Sequence, residues 1–481
     1  MRSEALSSAT TGSRQRADVK RHSNAVLIAG CLVNLVASVP TWVQAAPVKK
    51  AAPSANGKPQ TKSQAPVPID PDEAVYARIA QYRKVAEQIQ VDGDSKDWAE
   101  MPTVKGAQFP LKPGKVVDEG PAEPRLRIKR AGIAVRDYDL LVMVQTVQPP
   151  TQEDWAFLVL VSLGTEYSDF RINFAFDQPH TLDVLKHSDG AIETQYRIPL
   201  SELQVAVGDC VEARIPFDTL ARYLPPEMMT ALADADIRPW IRVTPFTLNV
   251  KTSKYVDAGP AVAGYRLITK RYSLDPPSPS ASVPAIPILL PVAGRWFVYE
   301  APYTGTHKGR WAYDLQICDE RGLNASTINP ERNEDYWTWE QPVYAPITSW
   351  IVSAERRNPD HPPGTIDWSL LNQANSITLD IGHDVWLTLG HFRQDSISPD
   401  VTAGAAVAKG TLLGSIGDSG TSKFPHMHLE LSSGLSRSTI VPFTFKRVRV
   451  SLNPQPDPWS RDLKIWRPTV GYFVESLEPW R

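Results

Sequence analysis

Gly414-Ser415-Ile416-Gly417-Asp418-Ser419-Gly420-Thr421-Ser422-Lys423-Phe424-Pro425-His426-Met427-His428-Leu429-Glu430-Leu431 is the stretch on which the reading of this 481-residue chain turns. Its first half spaces glycines as tight β-turns and positive-φ positions require. Its second half is strand-like. Residues two apart on a strand face one side, so His426 and His428 project into a common space. Imidazole is a preferred zinc ligand, but a pair needs a further His or an acid to complete a site. A lone His-x-His is a weak signal, because surface histidines pair readily by chance. Two upstream segments offer the missing partners: Thr306-His307-Lys308-Gly309-Arg310-Trp311-Ala312-Tyr313-Asp314 and Leu389-Gly390-His391-Phe392.

Outward from this stretch, residues 291–451 read as one unit of short strands: 343–344, 350–354, 376–381, 385–389 and 428–431. A tail of 452–481, rich in Pro and Trp, is expected to pack back on this unit. Upstream, residues 271–290 are proline-rich and read as a linker. Between about 91 and 269 the signals are again β. Leu126–Val135, Leu140–Val147, Trp155–Leu163 and Phe170–Phe176 are apolar or alternating runs separated by Asp, Gly and Pro turns, which predicts an antiparallel sandwich. Asp70-Pro71-Asp72-Glu73 supplies an N-cap, a first-turn proline and an early acid. Val75, Ile79, Tyr82, Ala86 and Ile89 follow at helical spacing, so a helix is expected to about Gln90, and residues 71–270 form a helix plus sandwich. The Asp-rich opening at 92–97 admits a calcium site or a solvated turn.

Residues 1–45 have the order of an export signal. A basic polar segment precedes an apolar run from Ala25 to Val39, then Pro40 and the small-residue site Val43-Gln44-Ala45. The run falls short of the ~20 residues a membrane span needs, so no span is expected after cleavage. Ile28-Ala29-Gly30-Cys31 resembles a lipoprotein box, but the apolar stretch before Cys31 is short and the segment after it stays apolar, so lipidation is the weaker reading. The chain is therefore expected in the periplasm or outside the cell. Residues 46–70, rich in Pro, Ala and Lys, read as a tether.

With 42% apolar and 22% charged residues the chain is globular in composition. A formal charge of -2 gives no general attraction to nucleic acid or anionic surfaces, and no nucleic acid is expected as a partner. Loss of residues 1–45 leaves Cys210 and Cys318, compatible with one disulfide or two free thiols.

Taken in order, His307 through Ala312-Tyr313-Asp314, then Val343-Tyr344-Ala345-Pro346, Gly390-His391-Phe392, and the glycine series ending in Pro425-His426-Met427-His428 resemble the lysostaphin-type (LytM-like) zinc metallopeptidases. The resemblance covers about 300–432. It implies a β-rich fold of the duplicated hybrid motif type and cleavage of peptide bonds in peptidoglycan cross-links. By position it implies His307, Asp314 and His428 as ligands of Zn2+, with His391 and His426 flanking the metal to orient or deprotonate its water; the general base is open between them. The chain departs from the family in its seven-residue His307–Asp314 spacing, where four is common. Those spacings have opposite parity on a strand, so a bulge or turn is expected near Gly309. Ser349 stands where Gly is usual, and 355–373 reads as an insertion beside the cleft. His361 and His383, like His180 and His187, have no partner block and are read as structural or surface residues. The opening 91–98 also resembles family-nine carbohydrate-binding and DOMON-like sandwiches, which implies contact with polysaccharide. The alternative to an exported endopeptidase is a catalytically inactive LytM-like domain that binds the wall or regulates a partner.

Overall fold

Period-two patterning explains how one strand serves two cores. In Asp139–Thr146, Leu140, Val142 and Val144 point into the interior of a sandwich, while Leu141 and Met143 point the other way into a second apolar cluster. That second face is covered by an α-helix, Pro71–Ala86, through Val75, Ile79 and Ala86. The helix stops one turn short of the sequence expectation, at a turn over residues 87–88. These elements belong to a computed structural model that describes residues 71–105, 124–136, 138–151, 155–162, 169–175, 180–188, 191–200, 203–224, 226, 240–249, 254–265, 285–301, 307, 311–327, 330–364, 366–434, 439–455, 459–466 and 470–480. The expected export signal with Cys31, the 46–70 tether, the Asp70 cap and most of the 271–290 linker lie outside the described residues.

The protein is mostly β, with several antiparallel sheets. A five-stranded sheet runs Thr103–Lys105, Ile128–Val135, Asp139–Thr146, Val211–Pro216, Gln204–Val207. A seven-stranded sheet runs Lys254–Ala258, Trp240–Asn249, Trp155–Ser162, Asp169–Ala175, His180–Ser188, Ala191–Leu200, with Val262–Tyr265 also paired to Trp240–Asn249. Ile133, Val142, Ala213 and Ile215 of the first sheet share one core with Phe170, Ile172, Leu182 and Ile241 of the second. In the Asp-rich opening the carboxylates serve the fold. Asp94 caps the Ser95–Trp98 3-10 turn, and Asp97 accepts from the N–H of Gln90. Buried Glu212 accepts from the N–H groups of Asp92 and Gly93 and from Trp98 Nε1.

The third sheet carries the candidate site. It is twelve-stranded, and its principal order is Ile286–Ile288, Phe443–Ser451, Phe473–Ser476, Arg295–Glu300, Ala312–Gln316, Met427–Ser433, Val385–Gly390, Ser376–Gly382, Ser349–Glu355, Ala406–Val407. Ile286–Ile288 lies within the proline-rich stretch and pairs in parallel at the sheet edge, where Pro287 is tolerated for want of a ladder donor. The tail strand Phe473–Ser476 is inserted between Arg295–Glu300 and Phe443–Ser451, and Arg461–Trp466 pairs with the latter. Val67–Arg481 forms one compact unit. Arg242 rivets the sandwich to the tail: its Nη2 donates to the carbonyls of Leu452 and Gly471, and its guanidinium lies over the rings of Trp240, Phe297 and Phe473. Cys210 and Cys318 are free thiols. Among the described residues no helix is long and apolar enough to cross a membrane.

Candidate metal centre

The site is set by strand register. Met427–Ser433 lies between Ala312–Gln316 and Val385–Gly390, and His428 stands opposite Asp314 on one side and Gly390 on the other. Opposed residues of neighbouring strands share a face, so the carboxylate of Asp314 reaches the ring of His428, with His428 Nδ1 to Asp314 Oδ1 at 2.9 Å. His426 precedes the strand by one residue and lies on the same side, its Nε2 3.5 Å from Asp314 Oδ1. Met427 between them is fully buried in the core. Gly390 is side-chain-free next to His428, where a Cβ would come to 3.4 Å of the His428 Cβ. His391 follows immediately, at φ +63°, a conformation disfavoured for a residue with a Cβ.

His307 completes the cluster. Its Nε2 is 3.3 Å from Asp314 Oδ2 and its ring lies 5.3 Å from that of His428. The seven-residue spacing therefore leaves His307 within reach of Asp314. The expected bulge near Gly309 falls outside the described residues. His307 Nδ1 is buried without a hydrogen-bond partner, the Glu300 carboxylate standing 3.9 Å away. Two triads offer ligand atoms mutually within 4.8 Å: His307, Asp314 and His428, and His391, His426 and His428.

The outer nitrogens are held by carbonyls. His391 Nδ1 is 2.7 Å from the Ser419 carbonyl oxygen, and His426 Nδ1 is 2.8 Å from that of Phe424, with Ser422 Oγ at 3.2 Å. A carbonyl only accepts, so both Nδ1 atoms carry a proton; the Nε2 of His391 is left towards the cluster, and that of His426 faces the Asp314 carboxylate. Burial pushes the Asp314 carboxyl up, but the surrounding His307 and His426 outweigh it and hold the group well below the usual carboxylate range. Burial works against the charged form of His428, yet Asp314 and Glu430 raise it to about 9. Burial likewise opposes charge on His426, and Asp314 again wins, raising it. His391 is driven the other way, well below the ordinary imidazole value, by burial and then by His426 and His428. One carboxylate is thus crowded by imidazoles that take up protons where a cation would otherwise balance it.

The donor set fits zinc. Two imidazoles and a carboxylate with an unpartnered buried nitrogen match a three-ligand centre that keeps a position open. Sequence reasoning missed Glu300, Glu430 and the Ser419 carbonyl. Glu430 was findable, two residues beyond His428 on the same strand face, 3.6 Å from its Nε2. Glu300 stands opposite Asp314 across the Arg295–Glu300 pairing, a register the sequence does not display. His361 is held by the fold, Nε2 2.6 Å from the Gly420 carbonyl, and His383 occupies the Gly382–Asp384 turn at φ +56°.

Comparison with known proteins gives structural likeness only. No family model matches the chain, and no curated protein matches it. The chain is similar to the catalytic domain of the prophage-encoded M23 protein EnpA of Enterococcus faecalis, at 16% identity and TM-score 0.20, over 34% of this chain and 95% of that one. It is also similar to the catalytic domain of the antimicrobial peptidase lysostaphin of Staphylococcus simulans, at 21% identity and TM-score 0.20, over 31% and 88%. A zinc-containing peptidase of Vibrio cholerae is similar over 61% of this chain and 82% of its own, at 12% identity and TM-score 0.18. At these TM-scores the reading of the site rests on its own geometry.

Proposed function

We propose that the chain is an exported zinc metalloendopeptidase that cleaves peptide bonds in peptidoglycan cross-links. The observation that carries the reading is the convergence of His307, Asp314 and His428 with His391 and His426 around one buried carboxylate. In this reading His307, Asp314 and His428 hold the metal. Zinc, when bound, polarises the scissile carbonyl and lowers the pKa of its water towards neutrality. The chain's own residues do the rest. His391 and His426 turn their Nε2 atoms to the site; one, as neutral imidazole, would take the proton of the attacking water, and the other, as imidazolium, would donate to the developing oxyanion. Asp314 stays ionised among the imidazoles, and the buried rings exclude bulk water.

The sandwich over 71–270 serves in this reading to position the peptidase on a polymer through a polysaccharide contact. In this reading the chain works in the periplasm or outside the cell. The test is digestion of cross-linked peptidoglycan by the purified protein, with mass spectrometry of the released fragments. New amino termini within the cross-links, absent with chelator and restored by zinc, are expected. Intact cross-links with zinc-loaded protein would overturn the endopeptidase reading.

A further inference from the structure

None of the described residues within 355–375 belongs to the histidine cluster, yet several are bonded to both pieces of backbone that hold His391. Asp360 Oδ1 accepts from the N–H of Asp418 at 2.7 Å, and Oδ2 accepts from the N–H of Gln394 at 2.9 Å. The first bond lies on the 417–420 turn, the second three residues beyond His391. A β-bridge joins Asp360 to Ser419. His361 Nε2 donates to the Gly420 carbonyl at 2.6 Å, and Asn375 donates from its N–H to Ser419 Oγ and from Nδ2 to the Phe392 carbonyl. The turn so held returns two bonds to His391: the Ser419 carbonyl accepts from Nδ1, and the N–H of Gly417 donates to the His391 carbonyl at 2.8 Å. The fit has no slack. A Cβ at Gly417 would come within 2.3 Å of both Asp360 Oδ1 and Arg393 Cα.

We propose that Asp360 is a positioning residue: its carboxylate clamps the 417–420 turn to the chain after His391, so that the Ser419 carbonyl fixes the His391 ring with Nε2 towards the metal cluster. The proposal rests on the peptidase reading for its catalytic consequence, and on geometry alone for its structural one. A carboxylate suits the task because it is an acceptor with two prongs facing two backbone donors. Asn keeps the shape but turns an amide N–H against one of those donors, and Ala removes both acceptors. The left-handed backbone at His391 needs such over-determination, since nothing local favours it.

The experiment uses the full chain, as wild type, Asp360→Asn and Asp360→Ala. Ring-15N NMR of the metal-free protein, with the His391 signal assigned through His391→Gln, follows the Nδ1 proton bonded to Ser419. Kinetics of the zinc-loaded protein on a cross-linked peptidoglycan peptide follow the catalytic consequence. Asp360→Asn is expected to shift or broaden the His391 Nδ1 signal, and to lower kcat by about 10- to 100-fold with KM and zinc content unchanged. An unchanged His391 signal and kcat in a folded Asp360→Asn protein, or a lowered Tm as the sole effect, would overturn the proposal. Asp360→Asn carries the test if Asp360→Ala does not fold. Should wild type leave the peptide intact, the peptidase reading fails, and the NMR result decides the clamp by itself.

Discussion

Two buried carboxylates, one in the sandwich and one in the twelve-stranded sheet, are solved in opposite ways. Asp183 is fully buried on the His180–Ser188 strand, next to the edge of its sheet, and is gripped by the guanidinium groups of Arg171 and Arg197. Asp314 is as deeply placed, but its partners are imidazoles, and one of them, His307, keeps a buried nitrogen without a partner. Guanidinium stays charged at every ordinary pH, so the Asp183 cluster is closed and permanent. Imidazole, unlike guanidinium, can surrender its proton to a metal, so the Asp314 cluster can exchange protons for a cation. Local strain follows the same division: His391 adopts a left-handed backbone at the second cluster, and no residue of the first cluster does. Full mutual satisfaction marks the part that supports the fold, and unspent bonding capacity with strain marks the part fitted for chemistry.

The comparison is broken most sharply by removing an imidazole that is not assigned to the metal. His391→Ala or His426→Ala is expected to lower kcat by about 10²- to 10⁴-fold while zinc stays bound. Steady-state kinetics beside metal analysis reads both quantities. Loss of zinc from His391→Ala together with His426→Ala, and its retention in His307→Ala, would move the metal to the other triad and redraw the contrast.

Asp183 sharpens the opposite side, with a smaller effect. Burial alone would raise its pKa, but Arg197 and Arg171 reverse that and hold it at about 2. The unfolded chain has the ordinary value of about 3.9, so this stabilisation is complete above that value and is lost as pH falls through about 2. Asp183→Asn is therefore expected to cost about 2 kcal/mol at neutral pH, the gap to wild type closing as pH approaches the folded-state value. Urea denaturation across that range measures it. Zinc content and kcat of Asp183→Asn should match wild type, and a gap that persists under acid would show that its arginine contacts stabilise by shape alone.

Much of the fold was legible because its strands carry period-two patterning at the right lengths. Leu140 to Val147 and Val385 to Leu389 read correctly to within a residue or two, the first through its apolar run Leu140–Val144 and the second through alternating burial of Val385, Leu387 and Leu389. The tail read only as packing back on the last unit. Its strand Phe473–Ser476 enters the centre of the sheet through pairings with Arg295–Phe297 and Val448–Ser451, a register fixed by tertiary contacts rather than by local pattern. At the site, the parity of His426 and His428 is a local property and could be read directly. The approach of His307 to Asp314 is a tertiary contact that local pattern does not display, and that of Glu300 depends on a register shift between Val298 and Glu300. The hold on His391 uses backbone carbonyls and N–H groups, which every residue possesses and no side-chain motif can announce. Asp360 was hidden for the same reason: its partners are the backbone of Asp418 and Gln394.

The most direct measurement is the zinc content of the purified protein, wild type beside Asp314→Ala and His307→Ala, with folding checked by Tm. The account predicts about one zinc per chain in wild type and none in either variant. A folded wild type that takes up no zinc on reconstitution at neutral pH, or variants that hold it as well as wild type, would contradict it.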